Sequence, residues 1–276
     1  MKLHDFNSEF IWRPVEGPFR RVTPEQARDF NEKGFFVLED AIDRPQLEAL
    51  LAAIDPIEAL EEQILRDKFG GRHLISRADE ITFTLQLALR VPAVRALVCG
   101  PIFRDLSSDL IGPDVRLYWD MSIYKKPGTV APFPWHHDNG YTFVDPQQYL
   151  TCWVALSDAT VENGCLWALP GAHTRGTYSH RAIRIGLVCI EEDPEGKVAI
   201  PMSAGSIAVM SSLTPHATGP NLSSGVRKAL VAEFMPDGAV SVGRTEAGEV
   251  VRRPLTNPQN MWVLRGGAPP DVPNAG

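Results

Sequence analysis

The chain has 276 residues, 44% hydrophobic and 22% charged, a composition suited to a folded protein of one large domain or, less economically, two small ones. Its net charge is −7 with no concentrated Lys/Arg tract, and Lys125-Lys126 reads as a solvated strand end, so no nucleic-acid partner is expected. Neither a signal-peptide core at the N-terminus nor a bilayer-length apolar run is present, and Cys99, Cys152, Cys165 and Cys189 lack CxxC or Cys-His zinc spacing, so a cytoplasmic protein with free thiols and no membrane partner is expected.

Thr23-Pro24-Glu25-Gln26 is a capping box with proline in the first helical turn; it opens a helix to about Lys33 that Gly34 stops. Phe35-Phe36-Val37-Leu38 follows as a short apolar strand. Asp43-Arg44-Pro45-Gln46 repeats the cap before Leu47, Leu50, Leu51 and Ile54, which are spaced for one helix face. Further helical pieces are expected over 57–68, 81–89 and 93–98, with Phe69-Gly70-Gly71-Arg72-His73 as a mobile loop. From Asp114 the pattern turns to β, with strands over 115–124, 149–156, 164–169, 183–190, 206–211 and 229–235. Asn163-Gly164, Pro170-Gly171, Ala204-Gly205 and Thr214-Pro215 separate them, and Asn163-Gly164 reads as a type I′ hairpin turn.

Short strands at this spacing suggest a sandwich or jelly-roll barrel, with the preceding helices against the outside of one sheet. The expected fold is mainly β with flanking helices: a double-stranded β-helix (jelly roll, cupin-like) buttressed by N-terminal α-helices. It forms a single domain over 1–276, with the helical buttress at about 20–113, the jelly-roll core at about 114–240 and a loose tail at about 266–276.

The chemistry concentrates in Phe133-Pro134-Trp135-His136-His137-Asp138. Pro132 and Pro134 favour extended backbone, on which positions i and i+2 share a face. His136 and Asp138 can therefore grip one ion while His137 points away. A lone His-x-Asp pair is also a common polar strand end. Here it has company: His216, 78 residues beyond Asp138, sits in Pro215-His216-Ala217-Thr218-Gly219 at the mouth of a loop. Two imidazoles and one carboxylate with open positions opposite are the ligand set of non-haem iron(II) oxygenases. Three open positions accept a bidentate 2-oxo acid and oxygen. Arg227 suits bidentate pairing with the far carboxylate of 2-oxoglutarate, and the Thr218 hydroxyl can add a hydrogen bond.

Four segments make this pattern specific: 23–38; Trp135-His136-His137-Asp138; Glu162-Asn163-Gly164-Cys165-Leu166 to Pro170-Gly171-Ala172-His173; and His216 through Asn221, Ser223 and Arg227. Over roughly 23–235 the chain resembles the phytanoyl-CoA dioxygenase family of iron(II)/2-oxoglutarate oxygenases. The resemblance implies that His136, Asp138 and His216 are the iron ligands and catalytic centre. It further implies that Arg227 and Thr218 hold the 2-oxoglutarate carboxylate and that Trp153 flanks the co-substrate, although a core tryptophan is the plainer reading of Trp153. The cofactors implied are Fe(II), 2-oxoglutarate and O2. The reaction implied is hydroxylation of an unactivated C–H bond of a small organic substrate (carboxylated, secondary-metabolite or lipid-like), with release of succinate and CO2.

Desaturation, epoxidation or ring formation would use the same cofactors, and a cupin-like metalloprotein or a binding module without turnover would use the same fold. Asp138 disfavours halogenation, because halogenating relatives lack that carboxylate. His137 stands where the family often has Gln, and Ser206 where it often has Asp. His173 reads as structural or as part of the pocket rim; His4, His73 and His180 read as exposed. Loops 69–77 and 141–146 are expected to select the substrate, with Arg72, Arg77 and Lys126 as a faint hint of an anionic group.

Overall fold

The computed structural model of the chain describes residues 1–7 and 9–270. Two facing sheets frame the molecule. In the larger one the strand order is Phe35–Leu38, Ile207–Ser211, Leu150–Ala155, Arg227–Pro236, Val115–Lys125, Ile81–Leu85, Ser76–Arg77 and Arg72–His73, with Trp262–Leu264 also pairing with Val115–Lys125. In the smaller, the order is Val198–Ile200, Leu166–Ala168, His216–Thr218 and Phe133–His136. The chain passes repeatedly between the two, as a jelly roll requires.

Strand alternation divides the apolar side chains into two cores. Leu150, Cys152 and Val154, with Leu230, Ala232 and Phe234, face outward and pack beneath the helices with Phe30, Leu50, Ile54, Leu97 and Phe103. Trp153 and Ala155, with Ala229 and Val231, face inward toward Leu166 and Ala168 of the smaller sheet. On the Arg227–Pro236 strand the same parity puts Arg227 and Glu233 on that inner face.

The capped elements form as expected. Pro24–Lys33 has both arms of its capping box and ends at Gly34 in the left-handed region, φ 90°. A Cβ at Gly34 would lie 2.5 Å from Thr214 Oγ1 and 2.6 Å from His173 Nδ1, so the position is closed to other residues on two counts.

Four expectations need correction. The helix opened by Asp43 runs unbroken from Arg44 to Phe69, with Pro56 inside it, because Leu47, Leu50, Ile54 and Leu65 are all buried along it. The expected helix at 81–89 is the strand Ile81–Leu85 followed by a short helix, Leu87–Arg90. The alternating Ile-Thr-Phe-Thr run suits the strand next to Val115–Lys125. The expected loop at 69–73 ends in a small hairpin, Arg72–His73 with Ser76–Arg77. The expected strand at 183–190 is itself a hairpin, Arg181–Ile183 with Gly186–Val188. One helix went unforeseen, Pro101–Leu110, whose Phe103 stacks on Phe234 with ring centroids 5.4 Å apart. At the other end Gly266 and Gly267 donate to Asp114 Oδ1 and the Pro113 carbonyl, and residues 271–276 lie outside the described residues.

Candidate active site

Two strands of the smaller sheet bring the histidines together. His136 ends Phe133–His136, His216 begins His216–Thr218, and the two residues are direct cross-strand partners with ring centroids 4.2 Å apart. His137 continues extended, φ −133° and ψ 155°, so Asp138 returns to the face of His136 as it opens a 3-10 turn. One ligand atom from each of His136, Asp138 and His216 lies within 4.8 Å of the other two.

Each of these side chains is held from behind. His136 Nδ1 is 2.8 Å from the Pro134 carbonyl and His216 Nδ1 is 3.0 Å from that of Thr214. Donation from Nδ1 to a carbonyl leaves the Nε2 lone pair for a metal. Thr151 Oγ1 donates to Asp138 Oδ2 at 2.5 Å, orienting the carboxylate. Burial, with His216 alongside, holds His136 well below the ordinary imidazole range, so the ring is neutral. Two imidazole nitrogens and one carboxylate, converging with oriented partners, fit a divalent transition metal.

Deeper between the sheets lies a cation with no partner. Arg227 is 0% exposed, and all three of its guanidinium nitrogens are buried without a hydrogen-bond acceptor. Burial pushes its pKa down to about 10, so it stays charged near neutrality. Its guanidinium lies 5.3 Å from the centroid of Trp153. The nearby Cys165 thiol is pushed up by burial and supplies no counter-charge. A buried charge without a partner is costly, so the arrangement is one built to receive an anion.

Lys125, read from the sequence as solvated, is instead 0% exposed and sits directly across the sheet from Arg227. Its Nζ donates to Thr218 Oγ1 at 2.9 Å and to the Gly219 carbonyl at 2.5 Å. Burial and Arg227 together lower it to about 6. Because the Thr218 oxygen accepts from Lys125, its own hydroxyl proton is free to donate elsewhere. Cross-strand pairing with Arg227 was the signal that sequence reading missed: Lys125 ends a strand whose register is set only by the folded sheet.

Thr218, Trp153, His136, Asp138 and His216 all line one cavity of about 740 Å3; Arg227 lies behind its Thr218–Trp153 end. The other wall is mostly apolar, with Ile75, Phe83, Trp119, Ile123 and Phe133 among its residues. Both substrate loops foreseen, 69–77 and 141–146, contribute to it through residues such as Leu74 and Tyr141.

Several histidines and cations have other duties. His137 points away from the ligands, fully buried, and its Nε2 accepts the Tyr178 backbone N–H at 2.8 Å. His180, expected to be exposed, is half-buried and accepts the His137 N–H. His173 is buried beneath Gly34, edge-on to Trp12. Arg77 is bound to the carbonyls of Leu74, Ser76 and Arg184, and Lys126 to Glu58 and Glu62, so neither offers a charge to a substrate. Asn163-Gly164 closes no hairpin, since the strands on either side belong to different sheets. Gly164, φ 87°, is needed because a Cβ there would lie 2.5 Å from the Gly219 carbonyl, the group that also binds Lys125.

Comparison with known proteins agrees with this architecture. The family model for phytanoyl-CoA dioxygenase (PhyH) matches residues 30–229. Phytanoyl-CoA dioxygenase domain-containing protein 1 of Bos taurus is 28% identical over 266 residues, covering 78% of this chain and 90% of that protein. EvdO2 from Micromonospora carbonacea var. aurantiaca, solved complexed with 2-oxoglutarate, is 27% identical with a TM-score of 0.65, covering 83% of this chain and 96% of that one. The non-heme alpha ketoglutarate dependent carbocyclase SnoK, at 22% identity, shares the fold with a TM-score of 0.66 over 92% of this chain and 95% of its own. The chain belongs to the phytanoyl-CoA dioxygenase family.

Proposed function

We propose that the chain is an Fe(II)- and 2-oxoglutarate-dependent oxygenase that hydroxylates an unactivated C–H bond of a largely apolar small molecule. His136, Asp138 and His216 would hold the metal through two nitrogens and one oxygen. Arg227 would pair with the distal carboxylate of 2-oxoglutarate, with the Thr218 hydroxyl donating a further bond and Trp153 flanking the chain of the co-substrate. Bound iron and 2-oxoglutarate supply the oxidising power for C–H cleavage, with succinate and CO2 as co-products.

The remaining work falls to the protein. Thr151 holds the Asp138 carboxylate, the Pro134 and Thr214 carbonyls hold the imidazoles, and the apolar wall keeps water from the reacting bond. Which substrate atom is held nearest the metal decides between hydroxylation and desaturation, epoxidation or ring closure. The four cysteines are free, and Cys152 and Cys165 are buried, in keeping with a reducing, cytoplasmic setting. Among the described residues no helix is long and apolar enough to cross a membrane.

The observation that carries the reading is the unpartnered Arg227 guanidinium, because a cupin-like metalloprotein without a dicarboxylate co-substrate has no use for it. The test is uncoupled turnover: with Fe(II), O2 and 2-oxoglutarate alone, slow succinate formation is expected, lost in His136→Ala and His216→Ala. Stoichiometric iron binding with no succinate above the metal-free control would refute the proposal and favour a metalloprotein of another kind.

A further inference from the structure

Lys125 is buried beside the site with no task in the chemistry above. It is 0% exposed, is the cross-strand partner of Arg227, and feels no charge but that of Arg227 among the described residues. A long amine next to a buried guanidinium is an expensive way to fill space, so its placement calls for a use. Lys125 does not line the cavity; it reaches it only through Thr218.

The bonds that Lys125 makes fix one short segment. Its Nζ donates to Thr218 Oγ1 at 2.9 Å and to the Gly219 carbonyl at 2.5 Å. An amine keeps the two hydrogens these bonds need whether it is charged or neutral, so the arrangement does not depend on its protonation. Gly164 packs against the same Gly219 carbonyl, where a Cβ would lie 2.5 Å away. Asn221 Nδ2 donates to the Lys125 carbonyl at 2.9 Å and to the Gly225 carbonyl at 2.8 Å, tying this strand end to the turn that leads into Arg227. A hydroxyl has one proton and two lone pairs. With Lys125 donating to Thr218 Oγ1, that proton points away from the amine, and among the described residues it has no acceptor. Thr218 lines the cavity at the end behind which Arg227 lies, so an unused hydroxyl proton and an unused guanidinium occupy the same end.

We infer that Lys125 is a positioning residue for the co-substrate: by holding Thr218 Oγ1 as an acceptor, it aims the hydroxyl proton at the distal carboxylate of 2-oxoglutarate, beside Arg227. It acts on that carboxylate alone and leaves the metal-chelating end of the molecule untouched. The inference rests on the oxygenase reading, which supplies the ligand.

The test compares 2-oxoglutarate with 2-oxopentanoate, which has the same carbon chain and chelating end but lacks the distal carboxylate. Each is titrated calorimetrically, without oxygen, into the full chain loaded with Fe(II). Lys125→Met, which keeps the stem and loses the donor, should weaken 2-oxoglutarate about 10-fold or more and leave 2-oxopentanoate within about twofold. Thr218→Val should do the same. The double variant should bind 2-oxoglutarate no worse than Thr218→Val alone, because both changes remove one and the same hydrogen bond. Equal losses for the two acids, additive losses in the double variant, or unchanged 2-oxoglutarate affinity in either single variant overturns the inference. Should Lys125→Met not fold, Lys125→Gln, whose shorter amide cannot reach both acceptors, takes its place in the same comparison. Failure of the underlying reading is separate: the unmodified iron-loaded protein would then not bind 2-oxoglutarate at all.

Discussion

Arg227→Met should produce two effects of opposite sign. The guanidinium is 0% exposed and lacks acceptors for all three nitrogens, so without an anion it carries a desolvation cost that only the Trp153 ring, at 5.3 Å, partly offsets. Methionine fills a similar space without the charge. The apo-protein should therefore gain about 1–3 kcal/mol, or roughly 2–6 °C in melting temperature for a chain of this size. Binding should move the other way. Removing one partner of a buried, hydrogen-bonded charge pair costs about 2–5 kcal/mol, which is about 30-fold to several thousand-fold in 2-oxoglutarate affinity. Arg227→Lys should recover only part of the loss, since an ammonium cannot make the bidentate pair. Calorimetric titration of 2-oxoglutarate, paired with melting of the apo-protein, reads both quantities. A variant that melts lower and binds 2-oxoglutarate as before would make Arg227 a structural strut and refute the reasoning.

Other perturbations give distinct readouts. Thr151→Val removes the 2.5 Å donor to Asp138 and should weaken iron binding about 10- to 100-fold in a competitive chelator titration, while an unchanged affinity would mean the hydrogen bond orients nothing. Between pH 6.5 and 4 the buried imidazoles of His136, His137, His173 and His180 resist protons that the unfolded chain takes up, so acid lowers apo stability; Asp120, raised to about 6, and Glu233, raised well above its usual range, act oppositely. The imidazoles outnumber the opposing carboxyls, so apo stability should fall as the pH drops below 6.5, measurable by denaturant titration, and a flat profile there would contradict it. Gly34→Ala places a Cβ against Thr214 and His173 at positive φ and should cost about 2 kcal/mol or more in the same assay, whereas a neutral effect would show that the helix end relaxes freely.

The parts of the fold written in local chemistry were legible. Thr23, Pro24 and Gly34 mark one helix by capping alone, and the β-rich patterns behind Val115–Lys125, Leu150–Ala155 and Arg227–Pro236 predict those strands to within a few residues. Elements decided by tertiary context were not. The Ile81–Leu85 strand takes its identity from the neighbour it pairs with, and Pro56 is carried inside a helix whose burial runs through it. The same division holds at the centre. His136 and Asp138 are two residues apart, and His216 stands in a recognisable loop, so their convergence could be anticipated. Lys125 and Glu233 depend on which strand lies beside which. Only parity along 227–233 hinted that Glu233 shares a face with Arg227.

The most direct measurement is an anaerobic one: Fe(II) and then 2-oxoglutarate are added to apo-protein and the visible spectrum is recorded. A weak charge-transfer band of a chelated 2-oxo acid is expected, absent in His216→Ala and, at moderate 2-oxoglutarate, in Arg227→Met. Tight iron binding with no band at saturating 2-oxoglutarate would contradict the assignment of His136, Asp138, His216 and Arg227 to an iron and 2-oxoglutarate site.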